Sequence, residues 1–220
     1  NVTGVQTCAL PISMFIAFEG PDGSGKSTQL AYLAEHLRNA GHEVVAVREP
    51  GGTPAGELIR AILLDEGGKI ALDPRADALL FTASRAQLVA EVIRPALARG
   101  AVVLADRFAA STLAYQGYGS GLPLAELRAV IAFATGGLMP DLTLLFDLPV
   151  VAGLARKSGD GRTRFEEGFD TAFHERVAAG FRVLAAAEPD RWHTMNAGET
   201  PDRLAHEVAG VVDAALTRRS

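Results

Sequence analysis

The chain has 220 residues, 48% of them hydrophobic and 21% charged, which suits one well-buried domain and excludes intrinsic disorder. Its formal net charge of -5 gives no general attraction to a nucleic-acid backbone or an anionic membrane surface, so any bound anion must be held locally. A single cysteine, Cys8, excludes an internal disulfide or a cysteine metal cage and fits a reducing, cytoplasmic setting.

Residues 1–13 carry no Lys or Arg, so the positive start of a secretory signal is missing. This stretch is expected to be a non-native scar, with Met14 as the true start and 14–220 as one domain. Nowhere does an apolar run reach the roughly 18 residues of a membrane span. The first element is the apolar run Met14 to Phe18, read as a buried strand. Directly after it comes Gly20-Pro21-Asp22-Gly23-Ser24-Gly25-Lys26-Ser27, followed by Thr28, which fits G-x-x-x-x-G-K-[ST] at every fixed position. Glycines let the backbone curl so that successive N–H groups converge on phosphate oxygens, and the helix that follows presents its positive end to the same anion. Lys26 adds a point charge, and the Ser27 hydroxyl suits Mg²⁺ bridging the two terminal phosphates of a nucleotide triphosphate.

The helix is marked by Leu30, Leu33, Ala34 and Leu37 and is expected to stop at Gly41. A second strand, Val44 to Val47, leads into Arg48-Glu49-Pro50-Gly51-Gly52-Thr53, where Pro-Gly-Gly reads as a turn that holds Arg48 in place. Further on, Phe81 and Arg85 stand four apart on one helix face, a pair able to stack on and hydrogen-bond a base. The third strand, Ala101 to Ala105, ends in Asp106-Arg107. Asp106 is placed to hold Mg²⁺ as a Walker B acid does, and Arg107 to grip an acceptor phosphate bidentately. Leu142 to Phe146 and the weaker Trp192 to Met195 complete five strands. Between the last two, residues 156–168 are rich in charge and glycine and read as a lid. Near-continuous apolar strands alternating with helical stretches predict an α/β fold with a five-stranded parallel sheet covered by helices on both faces. Ligands are then expected beyond the carboxyl ends of the strands. His36, His42, His174, His193 and His206 show no ligand spacing.

A phosphate loop alone does not separate kinases from GTPases or motor ATPases. The chain has no Asn-Lys-x-Asp to read guanine and no Leu-Ser-Gly-Gly transporter signature, so a kinase of small nucleotides leads. A nucleotide-dependent switch or assembly factor remains as the reading from a different class.

The loop segment, Arg48-Glu49-Pro50-Gly51-Gly52-Thr53, Phe81-Thr82-Ala83-Ser84-Arg85, Asp106-Arg107-Phe108 with Ser111 and Ala114-Tyr115-Gln116-Gly117, and Pro140-Asp141-Leu142-Thr143 together resemble the thymidylate kinase family in order and spacing. The resemblance runs from Met14 to the C-terminal helix. It implies the nucleoside-monophosphate-kinase-like version of the P-loop fold and a homodimer. It further implies transfer of the γ-phosphoryl group of ATP to dTMP with Mg²⁺, a step in dTTP synthesis. By the same resemblance Phe81 stacks on thymine, Arg85 bonds the base edge, and Arg48 and Arg107 hold the dTMP phosphate. Asp22 binds the 3′-hydroxyl and Tyr115 lies under the deoxyribose, while Ser111, Thr112 and Gln116 belong to the same acceptor segment. Some relatives carry an arginine inside the loop where this chain has Gly23, which shifts the catalytic charge to the lid, to Arg164 first, then Arg156, with Arg162 nearby. Kinases of another nucleoside monophosphate or of a deoxynucleoside are the competing enzymes.

Overall fold

The computed structural model describes residues 13–65, 70–156 and 169–219. The proposed N-terminal scar, apart from Ser13, and the lid beyond Arg156 lie outside the described residues. Five strands, β1 (Met14–Glu19), β2 (Val44–Arg48), β3 (Val102–Asp106), β4 (Leu142–Asp147) and β5 (Trp192–Asn196), form one sheet in the order β2-β3-β1-β4-β5. Every neighbouring pair is parallel. Each strand runs one residue past its expected apolar run and ends on a polar side chain, Glu19, Arg48, Asp106, Asp147 or Asn196. Backbone pairing does not stop where hydrophobicity does. The register sets Arg48 beside Asp106 and Asp106 beside Phe18, so charged groups from different parts of the chain gather on one edge.

Side chains alternate across a strand, and β1 uses both faces. Met14, Ile16 and Phe18 pack with Leu30, Leu33 and Leu37 of α1 (Lys26–Asn39), beside Val208 and Val212 of the C-terminal helix. Phe15 and Ala17 pack on the other face against Leu88, Ile93, Phe108 and Ile131. That parity sends Glu19 to the second face, where the acceptor segment lies. Helix α1 ends as expected: Gly41 has φ +91°, its N–H donates to Arg38 O, and the His42 N–H donates to Leu37 O at 3.0 Å. These two bonds satisfy carbonyls that the last turn leaves open.

On the second face, α2 (Pro54–Leu64) starts at the Thr53 cap, and α3 (Pro74–Leu88) starts at the Asp73 cap. A π turn, Val89–Ile93, carries α3 into α4 (Arg94–Ala98). After β3, α5 (Ala109–Thr112) runs into a second π turn, Leu113–Gly119, before α6 (Leu124–Thr135). The remaining helices are α7 (Val150–Arg156), α8 (Thr171–Ala187) and α9 (Pro201–Thr217). Phe173 and Phe181 of α8 pack against Tyr115 of the second π turn, closing a third apolar cluster beside the polar edge.

Candidate active site

The loop from Gly20 to Ser27 joins β1 to α1 at the carboxyl edge of the sheet. A Cβ on Gly20 would stand 2.5 Å from the Phe146 carbonyl, and one on Gly23 would stand 2.2 Å from that of Gly153. Only glycine permits both approaches, which bring the loop onto β4 and α7. Inside the curl, Lys26 donates from Nζ to Gly20 O at 3.1 Å, to Pro21 O at 2.8 Å and to Ser24 Oγ at 3.2 Å. Burial, followed by the charge on Arg107, pulls the Lys26 pKa from its usual 10.5 down to about 7. A phosphate anion beside that ammonium reverses the balance, because opposite charge favours the protonated form. The Ser27 hydroxyl donates directly to the Asp106 carboxylate, so two hard oxygen donors meet beside the cradle. That donor chemistry fits Mg²⁺ held through Ser27 and Asp106.

The edge beside the cradle is built around Arg107, whose φ of +71° is uncommon for a residue with a side chain. The turn is held by Glu19, which is wholly buried: its Oε1 accepts from the Phe108 N–H at 2.9 Å and the Ser111 N–H at 3.2 Å, and its Oε2 from the Ser111 hydroxyl at 2.6 Å. Arg107 then donates to Gly20 O at 2.9 Å, to Ser111 Oγ at 3.1 Å and to Asp22 Oδ1 at 2.6 Å. Tyr115 donates to Asp22 Oδ2 at 2.7 Å. Burial works against the Arg107 charge, but facing Tyr115, Asp22, Glu19 and Asp106 outweigh it and raise its pKa. The guanidinium therefore stays charged while mostly buried, where screening is weaker than in open water and a phosphate gains more from it.

Opposite stands a wall made by β2, α2 and α3. Arg85 and Glu49 form a buried ion pair, with Arg85 Nη2 donating to Glu49 Oε2 at 2.6 Å and Nε to the same oxygen at 2.9 Å. Arg85 also donates to Thr112 Oγ1 at 3.1 Å and to the Phe108 carbonyl at 3.1 Å. Burial raises the Glu49 pKa to about 7, against the pull of Arg85. Gln116 donates from Nε2 to Asp77 Oδ2 at 2.8 Å, both residues being buried. At the rim, Arg48 pairs with Glu57 at 3.1 Å, more than half exposed, and Arg60 donates to Pro50 O at 2.7 Å.

A cavity of about 560 Å³ opens between cradle and wall. It is lined on the cradle side by Asp22, Gly23, Gly25, Lys26, Ser27 and Thr28. Asp106, Arg107, Ser111, Thr112, Tyr115 and Gln116 line it on the side of β3 and the second π turn, with Arg48, Phe81 and Arg156 around the rest. Gly20, Pro21 and Ser24 shape the curl from behind, through the bonds to Lys26. Arg85, expected at a base edge, stands behind the wall, where Glu49, Thr112 and Phe108 engage its guanidinium, and it is not among the residues that line the cavity. Arg156 ends α7 and donates to Gly23 O at 3.4 Å and Ala197 O at 3.2 Å. Arg162 and Arg164 lie outside the described residues. Three participants went unassigned by sequence reasoning: Glu19, Arg60 and Asp77. Glu19 had a visible signal, a carboxylate closing an apolar strand just as Asp106 does. Asp77 stands one helical turn before Phe81, on the face that Phe81 and Arg85 continue.

The family model described as thymidylate kinase matches residues 18–208. The chain is 46% identical over 222 residues to a thymidylate kinase of Roseiflexus sp. (strain RS-1), covering 94% of this chain and 98% of that protein. It is 54% identical over 205 residues to one of Pseudomonas fluorescens (strain SBW25), covering 92% and 94% respectively. A crystal structure of thymidylate kinase from Ehrlichia chaffeensis superposes with a TM-score of 0.76 at 34% identity, covering 92% of this chain and 99% of that one. A phosphate cradle facing a buried arginine across one cavity, on a five-stranded parallel sheet, thus coincides with matches over nearly the whole chain, which belongs to the thymidylate kinase family.

Proposed function

We propose that this chain transfers the γ-phosphoryl group of ATP to the 5′-phosphate of dTMP, giving ADP and dTDP. The observation that carries the reading is that Lys26 and Arg107, each donating to the carbonyl of Gly20, open on the same cavity. One charge faces the donor and the other the acceptor. The acceptor is a phosphate monoester with a second pKa near about 6, so at neutral pH it is largely a dianion and no general base is needed. An acceptor oxygen bonds to the γ-phosphorus while the bond to the β–γ bridging oxygen breaks, and ADP leaves with that electron pair. Catalysis then consists of aligning two anions and neutralising the equatorial oxygens.

In this account the loop from Gly20 to Thr28 holds the triphosphate, and Lys26, Arg107, Arg156 and Arg164 supply the transition-state charge. Mg²⁺, bound through Ser27 and Asp106, offsets phosphate charge when present. Phe81 stacks on the base, Gln116 and Thr112 face its edge, and Tyr115 with Asp22 borders the sugar. Arg48 and Ser111 join Arg107 at the acceptor phosphate, and Arg85 supports Thr112 and Glu49. Residues 14–220 act as one catalytic unit with a lid over 156–168. A cytoplasmic, homodimeric enzyme is the corresponding cellular form. Exposed Leu58, Leu79 and Phe133 on α2, α3 and α6 support the dimer, since these helices pack side by side.

ADP release measured with ATP and Mg²⁺ across dTMP, dUMP, dCMP, AMP and thymidine tests the reading. The expected preference is dTMP. Thymidine belongs in the panel because Glu49 lines the cavity with its pKa near 7, as a base for a sugar hydroxyl would. Turnover of thymidine without turnover of dTMP would overturn the proposal.

A further inference from the structure

We propose that Asp77 is a positioning residue for base specificity, fixing the amide of Gln116 so that it presents its oxygen, and not its NH₂, to the acceptor base. This rests on the reading of Gln116 as a group that faces the base.

Helix α3 begins at Asp73, whose side chain accepts from the Arg75 N–H at 2.8 Å, with Pro74 at the first helical position. This start fixes the phase of the helix. Asp77, Phe81 and Arg85 then fall at successive intervals of four and share one face. Phe81 lines the cavity, Arg85 braces its wall, and Asp77 reaches Gln116 from the second π turn. The contact joins residues 39 apart in sequence and is buried from both sides, Asp77 being 6% and Gln116 2% exposed.

A glutamine amide has two orientations of nearly equal shape and opposite hydrogen-bonding sense. In one it offers a carbonyl to a ligand, in the other an NH₂. Gln116 Nε2 donates to Asp77 Oδ2 at 2.8 Å, so the NH₂ of the amide is turned toward the carboxyl group of Asp77. The carbonyl Oε1 is left for the cavity that Gln116 lines, and it accepts no other hydrogen bond among the described residues. Thymine and uracil carry a donor at N3, which such an acceptor satisfies. Cytosine carries an acceptor at N3, which would face a second acceptor with both desolvated. Sites built around a buried hydrogen bond discriminate far more strongly than sites built on shape, because the wrong ligand leaves a polar group unpaired.

Asp77→Asn is the informative change, since an asparagine amide can donate to Gln116 Oε1 and so stabilise the flipped orientation. The ratio of kcat/KM for dTMP to that for dCMP is expected to fall by roughly tenfold or more, carried mainly by KM, with the KM for ATP unchanged. Asp77→Glu keeps the acceptor and is expected to retain the ratio. In a Gln116→Ala background, Asp77→Asn is expected to cause no further loss of discrimination, because the group it orients is gone. A ratio unchanged in Asp77→Asn, or additive losses in the double variant, would overturn the proposal and leave the role of Gln116 intact. If Gln116→Ala itself keeps full discrimination, the reading of Gln116 at the base fails, and the proposal with it. Should Asp77→Asn fail to fold, the ratio in Asp77→Glu decides: a loss as large as that in Gln116→Ala would overturn the role of the carboxylate.

Discussion

Lys26 enters the reaction as a buried amine. In the free enzyme it is 6% exposed, its contacts are two carbonyls and a hydroxyl, and its pKa is brought down to about 7 by burial and by Arg107. Triphosphate oxygens favour the ammonium, so donor binding draws a proton from solvent wherever the free enzyme holds Lys26 neutral. At pH 8 a group of pKa 7 is neutral in ~0.9 of molecules, and at pH 6 in ~0.1. Binding of a non-hydrolysable ATP analogue with Mg²⁺ is therefore expected to take up about 0.9 proton per site at pH 8. The sign follows directly: the complex binds more protons than the free enzyme above pH 7, so apparent affinity falls as pH rises, by up to about tenfold per unit. Calorimetric titrations in two buffers of different ionisation enthalpy give the proton count. Lys26→Met is expected to abolish the uptake at pH 8 and to lower kcat by roughly 10²-fold or more. Wild-type binding at pH 8 without proton uptake, or uptake undiminished in Lys26→Met, would refute the argument.

Replacing Phe81 by Ala is expected to raise the KM for dTMP while leaving that for ATP nearly unchanged, since stacking on a base contributes about 1–3 kcal/mol; equal rises for both substrates in steady-state kinetics would make Phe81 a wall residue only. Gly153→Ala would set a Cβ 2.4 Å from the Asp22 carbonyl, and overpacking of this kind costs about 1–3 kcal/mol. Its expected signature is a lower melting temperature together with a lower kcat, because the donor loop must move off α7; an unchanged kcat would separate that contact from the chemistry. Arg164→Ala is expected to depress kcat more than it weakens binding of either nucleotide, and an unaltered kcat would return the segment to an ordinary surface loop.

Much of the fold was legible because buried parallel strands write themselves as short apolar runs. Met14, Val44, Leu142 and Trp192 begin strands as expected, and Gly41 closes α1 through the bonds its position predicts. Strand ends were less legible, since Glu19 and Asp147 interrupt the apolar signal while the backbone pairing continues. The phosphate cradle was readable because Gly20, Gly25 and Lys26 are constrained locally by spacing. The wall was not. Arg85 shares a helix face with Phe81, but which buried group its guanidinium meets depends on Glu49 and Thr112, brought in from elements 36 and 27 residues away. Asp77 was passed over for the same reason: its partner lies in a π turn whose extra residue per turn shifts every side chain out of simple helical phase.

The central claim is that donor and acceptor occupy one cavity together, with Lys26 and Arg107 on its two sides. Titration of dTMP into enzyme already saturated with a non-hydrolysable ATP analogue and Mg²⁺ tests this directly. One dTMP bound per chain without displacement of the analogue is the predicted result. Competition, with dTMP binding only as the analogue leaves, would contradict the account.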